Sequence, residues 1–347
     1  MDYHDSPEEA AFRARLREWL ASDDPDTSSD AAWHRSLYRA GFFGLSWGYG
    51  GQELPPVYDV ILDEELALAG MPPRPGLGYL VQGLGRHGSE DIKRRFLPRL
   101  ISGEDRWCQG FSEPEAGSDL ASLRTTAVLD GDEYVIDGHK IWTSYSDVAD
   151  WCLLLARTSD GPKHKSLSGF AVPMKQPGIV QRPIKMINGV TTEFGQVLFD
   201  HARVPVANMI GAPGEGWALA MTLVAHEREP GELGFVARYA KTVRELAARS
   251  TGPEVAWAYV QTEMLRLHVR RRLSERLDGV DHGPGGSVDK LLMTWTEQSV
   301  GHAALAVGGT GDETLLNTYL YSRAQSIMGG TSQIQKNIIA TRILGLP

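Results

Sequence analysis

Cysteine is scarce, two in 347 residues, and Cys108 and Cys152 have neither metal-ligand spacing nor the partners of a disulfide framework. They read as small core residues of a protein kept in a reducing compartment, and no metal site is expected. Long apolar runs are missing too, so no stretch reaches the roughly 20 residues a membrane-spanning helix needs. The opening Met1-Asp-Tyr-His-Asp-Ser-Pro-Glu-Glu9 has no basic or apolar region of a secretory signal, and a cytoplasmic protein is expected. Positive charge is not in excess: 35 Lys and Arg stand against 44 Asp and Glu, net −9. That balance gives no reason to expect nucleic acid or an acidic membrane as partner, and it leaves room for a local basic pocket around a phosphate. Tandem repeats and low-complexity tracts are absent.

What is present is enough chain for two or three domains of common size. Ser6-Pro7-Glu8-Glu9 reads as a helix start: serine at the N-cap, proline in the first turn, and a glutamate three residues on to close a capping box. Phe12, Leu16, Trp19 and Leu20 share one stripe, and Trp33, Leu37 and Ala40 share another that ends at Gly41. Helical spacing of Ile61, Leu62, Glu65 and Leu68 runs up to Met71-Pro-Pro-Arg-Pro75. Gly88-Ser89-Glu90 introduces Ile92, Phe96 and Leu97, with Lys93, Arg94 and Arg95 on the outer face of an amphipathic helix.

From about Arg106 the period changes to short segments rich in β-branched and aromatic residues: 125–129, 134–136, 140–143, 151–156, 169–173, 179–183 and 196–199. Asp130-Gly131 and Asp137-Gly138 read as hairpin turns. After Gly211-Ala-Pro-Gly-Glu-Gly216 the pattern returns to long amphipathic helices at 217–228, 235–249, 255–277, 287–306 and 315–325, with a last one at 334–344. Their lengths favour a bundle. The expected architecture is α+β: an α-helical domain at 1–105, a central antiparallel β-barrel or sandwich at 106–211, and a four-helix bundle at 212–347.

Chemistry concentrates in Phe111-Ser-Glu-Pro-Glu-Ala-Gly-Ser-Asp-Leu120 and Lys140-Ile-Trp-Thr-Ser144. Glycine lets a phosphate approach the backbone, Ser112, Ser118 and Ser144 offer hydroxyls, and Trp142 offers a flat apolar face. Together they suit a flat, hydrogen-bonding, phosphate-bearing cofactor.

These stretches, with Glu227-Arg228 and Met328-Gly-Gly-Thr-Ser-Gln-Ile-Gln335, follow one another over nearly the whole chain in an order that resembles the acyl-CoA dehydrogenases. The resemblance implies FAD, an acyl-CoA substrate and reoxidation by an electron-transferring flavoprotein. It also implies a dimer or tetramer. By match, Phe111 and Ser112 line the isoalloxazine ring, Ser118 lies near the pyrophosphate, and Trp142 and Ser144 pack beside the flavin near N5. Thr331 and Gln333 reach toward the other end of the FAD.

The family's catalytic glutamate comes from one of two places. Gly329 stands where one would be, leaving Glu227, whose spacing from Leu223 and Val224 puts it on the apolar stripe of its helix. A carboxylate there serves as base if burial raises its pKa. The backbone N–H of Gly329 matches the donor to the developing enolate.

Departures from the family pattern fall elsewhere. Its Arg/Lys-x-Phe-Gly motif is replaced by Arg249-Ser-Thr-Gly-Pro-Glu-Val-Ala-Trp257, and its Gln-x-x-Gly-Gly-x-Gly loop begins with Leu305. Both normally serve a neighbouring subunit, so pairing with a paralogous chain is one expected arrangement. Glu115 replaces a common glycine. Pro230-Gly231 is expected to bend the helix after Glu227 and open the acyl pocket to a branched or polycyclic chain. Gly308-Gly-Thr-Gly311 follows a helical pattern and is not a dinucleotide fingerprint. The alternatives on the same residues are a flavin oxidase or monooxygenase, or a non-catalytic partner subunit.

Overall fold

A computed structural model describes residues 4–227, 234–280 and 283–347. The chain divides into two compact units, residues 1–76 with 227–347, and residues 77–226.

The first unit is helical. Its first helix, α1 (Pro7–Leu20), begins at the expected capping box: Ser6 Oγ accepts from Glu9 N–H, and Glu9 takes the N–H of Ser6 at 2.7 Å. The next two are α2 (Asp30–Arg39) and α3 (Val57–Ala69), the latter closed by Gly70 at φ 74°. Packed against α1 on one side and α7 (Gly234–Ala247) on another, α3 buries a wide arc of its surface. Leu66 is fully buried as a result, whereas Leu68, which the spacing puts on the stripe, is 53% exposed.

That arc also takes in carboxylates. Glu65 is held by Arg13 at 2.8 Å and Arg17 at 2.7 Å, and Asp63 by Arg74 at 3.0 Å. Burial pushes the Asp63 carboxyl up against the pull of Arg74. Buried carboxylates persist because each has a guanidinium partner.

The remaining helices of this unit are α8 (Pro253–Leu277), α9 (Gly286–Gly308), α10 (Glu313–Ser322) and α11 (Ser332–Ile338). Helices α7 to α10 enclose a core of Val236, Val243, Leu246, Ala258, Leu265, Val300 and Ala304, among others. The segment expected as one helix over 334–344 widens into a π turn at Ile339–Ile343. Gly308-Gly309 closes α9, so a helix precedes that glycine cluster.

The second unit carries α4 (Gly78–His87) and α5 (Glu90–Ser102), then an eight-stranded sheet. Lys93, Arg94 and Arg95 are spent on local ion pairs with Glu90 and Asp91. The strands are β1 (Trp107–Gly110), β2 (Thr126–Asp130), β3 (Glu133–Ser144), β4 (Trp151–Arg157), β5 (Leu167–Pro173), β6 (Ile179–Pro183), β7 (Phe194–Pro205) and β8 (Met209–Ile210). Their order is β6-β7-β3-β2-β4-β5-β8, antiparallel except at β4, which takes β1 and the start of β2 in parallel. Phe170, Leu154, Val172 and Val197 lie at the centre of its core, each fully buried. The unit ends within α6 (Gly216–Glu227), at His226, and Leu219 and Leu223 of that helix fill the space that Gly83 and Gly169 leave open.

One of the two expected hairpin turns is there. Gly131, at φ 68°, turns β2 into β3 with Asp130 opposite Glu133. Asp137-Gly138 is not a turn: β3 runs straight through it, and its register against β7 shifts between Ile136 and Gly138. The dipeptide serves a bulge. Asp137 accepts the N–H of His201 at 2.8 Å, and Gly138 is small because a Cβ there would collide with the Thr125 side chain. Gly138→Val is therefore expected to lower stability by about 1–3 kcal/mol through overpacking. Denaturant unfolding checks this, with Gly131→Ala perturbing only the exposed turn.

Candidate active site

In the sheet unit the first candidate loop leaves β1 at Phe111 and makes a tight turn, Glu113 N–H to Ala116 O at 3.0 Å and Ala116 N–H to Glu113 O at 3.1 Å. Beneath it lies an ion pair removed from water. Lys140, on β3, is fully buried, and its ammonium meets Glu113 Oε1 at 2.8 Å and the Phe111 carbonyl at 3.0 Å. The Glu113 carboxylate also takes the N–H of Arg124 at 2.6 Å, and the N–H and hydroxyl of Thr125 at 2.9 and 2.6 Å. Burial alone would raise the Glu113 carboxyl, but Lys140 and these hydrogen bonds outweigh it and hold it below the usual carboxylate range. Lys140 is shifted down by its burial, which Glu113 only partly offsets.

This pair shapes the backbone. A trans peptide directs its N–H opposite to its C=O, so Lys140 on the Phe111 carbonyl turns the Ser112 N–H away from the buried cation. The Ser112 carbonyl accepts Ile141 N–H at 2.9 Å, tying the loop to β3. Two residues further along β3 the register against β7 shifts again, between Lys140 and Thr143, and Trp142 stands at φ 60°. A left-handed tryptophan is strained, and such strain gathers at functional positions. The effect is to turn the indole out of the pleat: it is 57% exposed, edge-on to Phe194 at a centroid distance of 6.3 Å.

Lys140 thus ties Phe111, whose side chain is buried, and the Ile141 peptide ties Ser112 to the strand on which Trp142 and Ser144 follow. Ser118 is exposed further along the same loop, where a Cβ on neighbouring Gly117 would meet nothing. Glu115 sits at the exposed tip, paired with Arg124 at 3.0 Å. A displayed indole, half-buried hydroxyls and an outward peptide N–H fit a flat, hydrogen-bonding cofactor with a phosphate.

The other candidates lie at α6 and in the helical unit. Glu227 is the last described residue of α6, half-buried, one turn after the fully buried Leu223. Arg228 and Pro230-Gly231 lie outside the described residues. Gly329 and Gly330 stand at φ 63° and 91° ahead of Thr331, whose hydroxyl caps α11 by accepting Ile334 N–H. Gln333 is exposed on the first turn of α11. Arg249, at the place of the missing motif, is paired with Asp312 at 3.0 Å, and Asp312 itself caps α10.

Sequence reasoning quoted Glu113 and Lys140 without giving them a role, and the signal was available. A lysine inside an apolar strand has to find a carboxylate, and Glu113 is the acid of the adjoining motif. Gln335 and Lys290 were missed as well. Each is buried and polar, and nothing in one sequence marks a polar helix residue as inward.

Three family models match the chain in succession: acyl-CoA dehydrogenase N-terminal domain at residues 6–104, middle domain at 108–202 and C-terminal domain at 214–344. Acyl-CoA dehydrogenase IpdE1 of Mycobacterium tuberculosis is 37% identical over 377 residues, covering 97% of each chain. Its counterpart in Mycolicibacterium smegmatis is also 37% identical, again over 97% of each chain. Among solved structures, the Tcur3481-Tcur3483 steroid ACAD superposes with a TM-score of 0.88 at 27% identity over the whole of both chains. The ChsE4-ChsE5 complex from Mycobacterium tuberculosis gives 0.84 at 28%, also over both whole chains.

The buried pair makes two linked predictions. Lys140→Met strands the Glu113 carboxylate and is expected to cost about 3–5 kcal/mol, part of it regained in Lys140→Met/Glu113→Gln, which leaves no uncompensated charge. Because the folded Glu113 pKa lies below its unfolded value, its contribution is complete above about pH 4.3 and is lost as the pH falls through the folded value. The melting midpoint of the native protein should drop on acidification through that window, and Glu113→Gln should flatten the drop. Scanning calorimetry between neutral pH and about pH 3 reads both.

Proposed function

The chain belongs to the acyl-CoA dehydrogenase family of flavin-dependent oxidoreductases, and from that premise we propose a specific assignment of roles. The substrate is an acyl-CoA thioester and the cofactor is FAD. When bound, FAD supplies the hydride acceptor. Phe111, Ser112, Trp142 and Ser144 line its ring and Ser118 its pyrophosphate, while Thr331 and Gln333 hold its far end. Glu227 takes the α-proton onto its carboxylate, the β C–H bond gives up its hydrogen as hydride, and the α,β double bond forms. The N–H of Gly329 donates to the thioester oxygen as negative charge gathers there, a contribution greatest when the donor is fixed in advance.

The observation that carries the reading is the strained, outward Trp142 beside a loop whose peptide is oriented by buried Lys140. Stability alone gives no reason to hold a large indole in water in a left-handed conformation. For the base, the argument is that Gly329 has no side chain and Glu227 lies one turn beyond buried Leu223 on α6.

Two finer points have support. The Tcur3481-Tcur3483 and ChsE4-ChsE5 structures are each named for two different chains, and this chain lacks the arginine motif that serves a neighbour. Both favour pairing with a related, non-identical subunit; the spans of the three family models favour domains bounded near residues 105 and 211. The first of those structures is named a steroid ACAD, which favours a large polycyclic acyl group over a short straight one. Electrons would leave to an electron-transferring flavoprotein.

Glu227→Gln is expected to retain flavin and acyl-CoA binding while turnover falls by about 10²–10⁴-fold. Unchanged turnover would assign the chain a supporting role. Flavin content measured on this chain alone, then with a coexpressed paralogue, tests the shared site: flavin gained only in the second case supports it. One tightly held flavin per chain in a homomer overturns it.

A further inference from the structure

The Met328–Thr331 turn rests on buried polar groups that the preceding assignment does not use. Gln335, on α11, is fully buried, and its Nε2 donates to the carbonyls of Gly329 at 3.1 Å and Gly330 at 3.3 Å. From α9, the 6% exposed Lys290 sends its ammonium to the Gln325 carbonyl at 2.5 Å and to Thr294 Oγ1 at 3.1 Å. Gln325 lies in the short 3-10 turn Ala324–Ser326 that delivers the chain to Gly329, and Lys290 Cε is 3.3 Å from the place a Gly329 Cβ would occupy. The two side chains thus grip the segment before the turn and the turn itself.

We propose that Gln335 and Lys290 are positioning residues that together clamp the Gly329–Gly330 turn on both sides of the Gly329 N–H, holding that donor toward the thioester oxygen of the acyl-CoA. The inference rests on the assignment of Gly329 made above. Three physical points carry it. Gln335 on the Gly329 and Gly330 carbonyls fixes the two peptides that follow the Gly329 N–H, while Lys290, on the Gln325 carbonyl and beside Gly329, fixes the chain that leads into it. Two successive glycines at positive φ have little conformational preference of their own, so the direction of the Gly329 N–H depends on what grips the turn. Finally, Gln335 Oε1 is buried with no hydrogen-bond partner among the described residues. An apolar side chain of similar volume would avoid that cost, so the carboxamide is kept for its two donor contacts and not for packing.

The test compares the flavin-loaded protein, with its partner subunit if one is required, as native, Gln335→Met and Lys290→Met. Three readouts are used: the kcat and KM split, the long-wavelength absorbance of a bound 3-thia-acyl-CoA, and amide exchange of peptides spanning 326–331 without substrate. A 3-thia-acyl-CoA loses its α-proton but cannot be oxidised, so its absorbance reports how strongly the thioester oxygen is stabilised. In Gln335→Met the melting midpoint should stay within a few degrees of native, kcat should fall about tenfold or more, and KM should change less than about threefold. The ratio of deprotonated to protonated analogue should fall about tenfold and exchange should quicken by a similar factor. Lys290→Met should move the same readouts in the same direction, giving an independent answer if one variant folds poorly. Native-like absorbance in both folded variants overturns the clamp alone, even if exchange quickens. Absence of the absorbance in the native protein overturns the acyl-CoA assignment and the clamp with it.

Discussion

The ion pair between Glu113 and Lys140 is the constraint on which the sheet unit's candidate site depends. An ammonium with no exposed surface is tolerated only where a carboxylate and a carbonyl receive it. Meeting that demand locks the turn after β1 to the strand that carries Trp142. One lysine therefore sets both the direction of the Ser112 peptide and the part of β3 from which the indole emerges. Glu113 widens its reach by taking two further backbone N–H groups at residues 124 and 125, where β2 begins. Such a pair contributes little net stability compared with apolar packing. What it supplies is a single arrangement of loop and strand.

The helical unit solves a similar problem with a different chemistry. Its turn at Gly329–Gly330 has almost no preference of its own; the neutral donor Gln335 holds the turn and the cationic donor Lys290 holds the segment before it. Elsewhere in that unit burial and charge are reconciled by guanidinium–carboxylate pairs on α3, and by Tyr239, whose hydroxyl meets the buried Glu297 carboxylate. Burial raises Glu297 even so, with Tyr239, Gln325 and Lys290 opposing.

Much of the architecture was legible in the sequence because local signals and tertiary demands agree. The Ser6 box, the Gly131 turn and the apolar periods of α5 and α8 each state their structure in a few residues. Failures occurred where one residue type serves two purposes. Gly138 reads as a turn residue but is small to admit Thr125, and Leu68 fits the stripe of an α3 that in fact buries its neighbour Leu66. The helix α4 went unread, since its glycines mask its period. At the site, motif residues were visible as types, whereas the left-handed Trp142 and the grip of Gln335 are consequences of pairing across distant parts of the chain.

The division of the chain bears on the order in which it acquires structure. Residues 77–226 form a unit from one continuous stretch, so the contacts within it are available once that stretch has left the ribosome. The helical unit joins the first 76 residues to the last 121 or so, and α3 has to wait for α7, more than 160 residues later. Closing so long a loop is slow, and apolar faces of the early helices stay uncovered meanwhile. The emerging amino-terminal helices are therefore where a chaperone is most needed during synthesis, and a chain truncated before α7 leaves uncovered the face of α3 on which α7 packs.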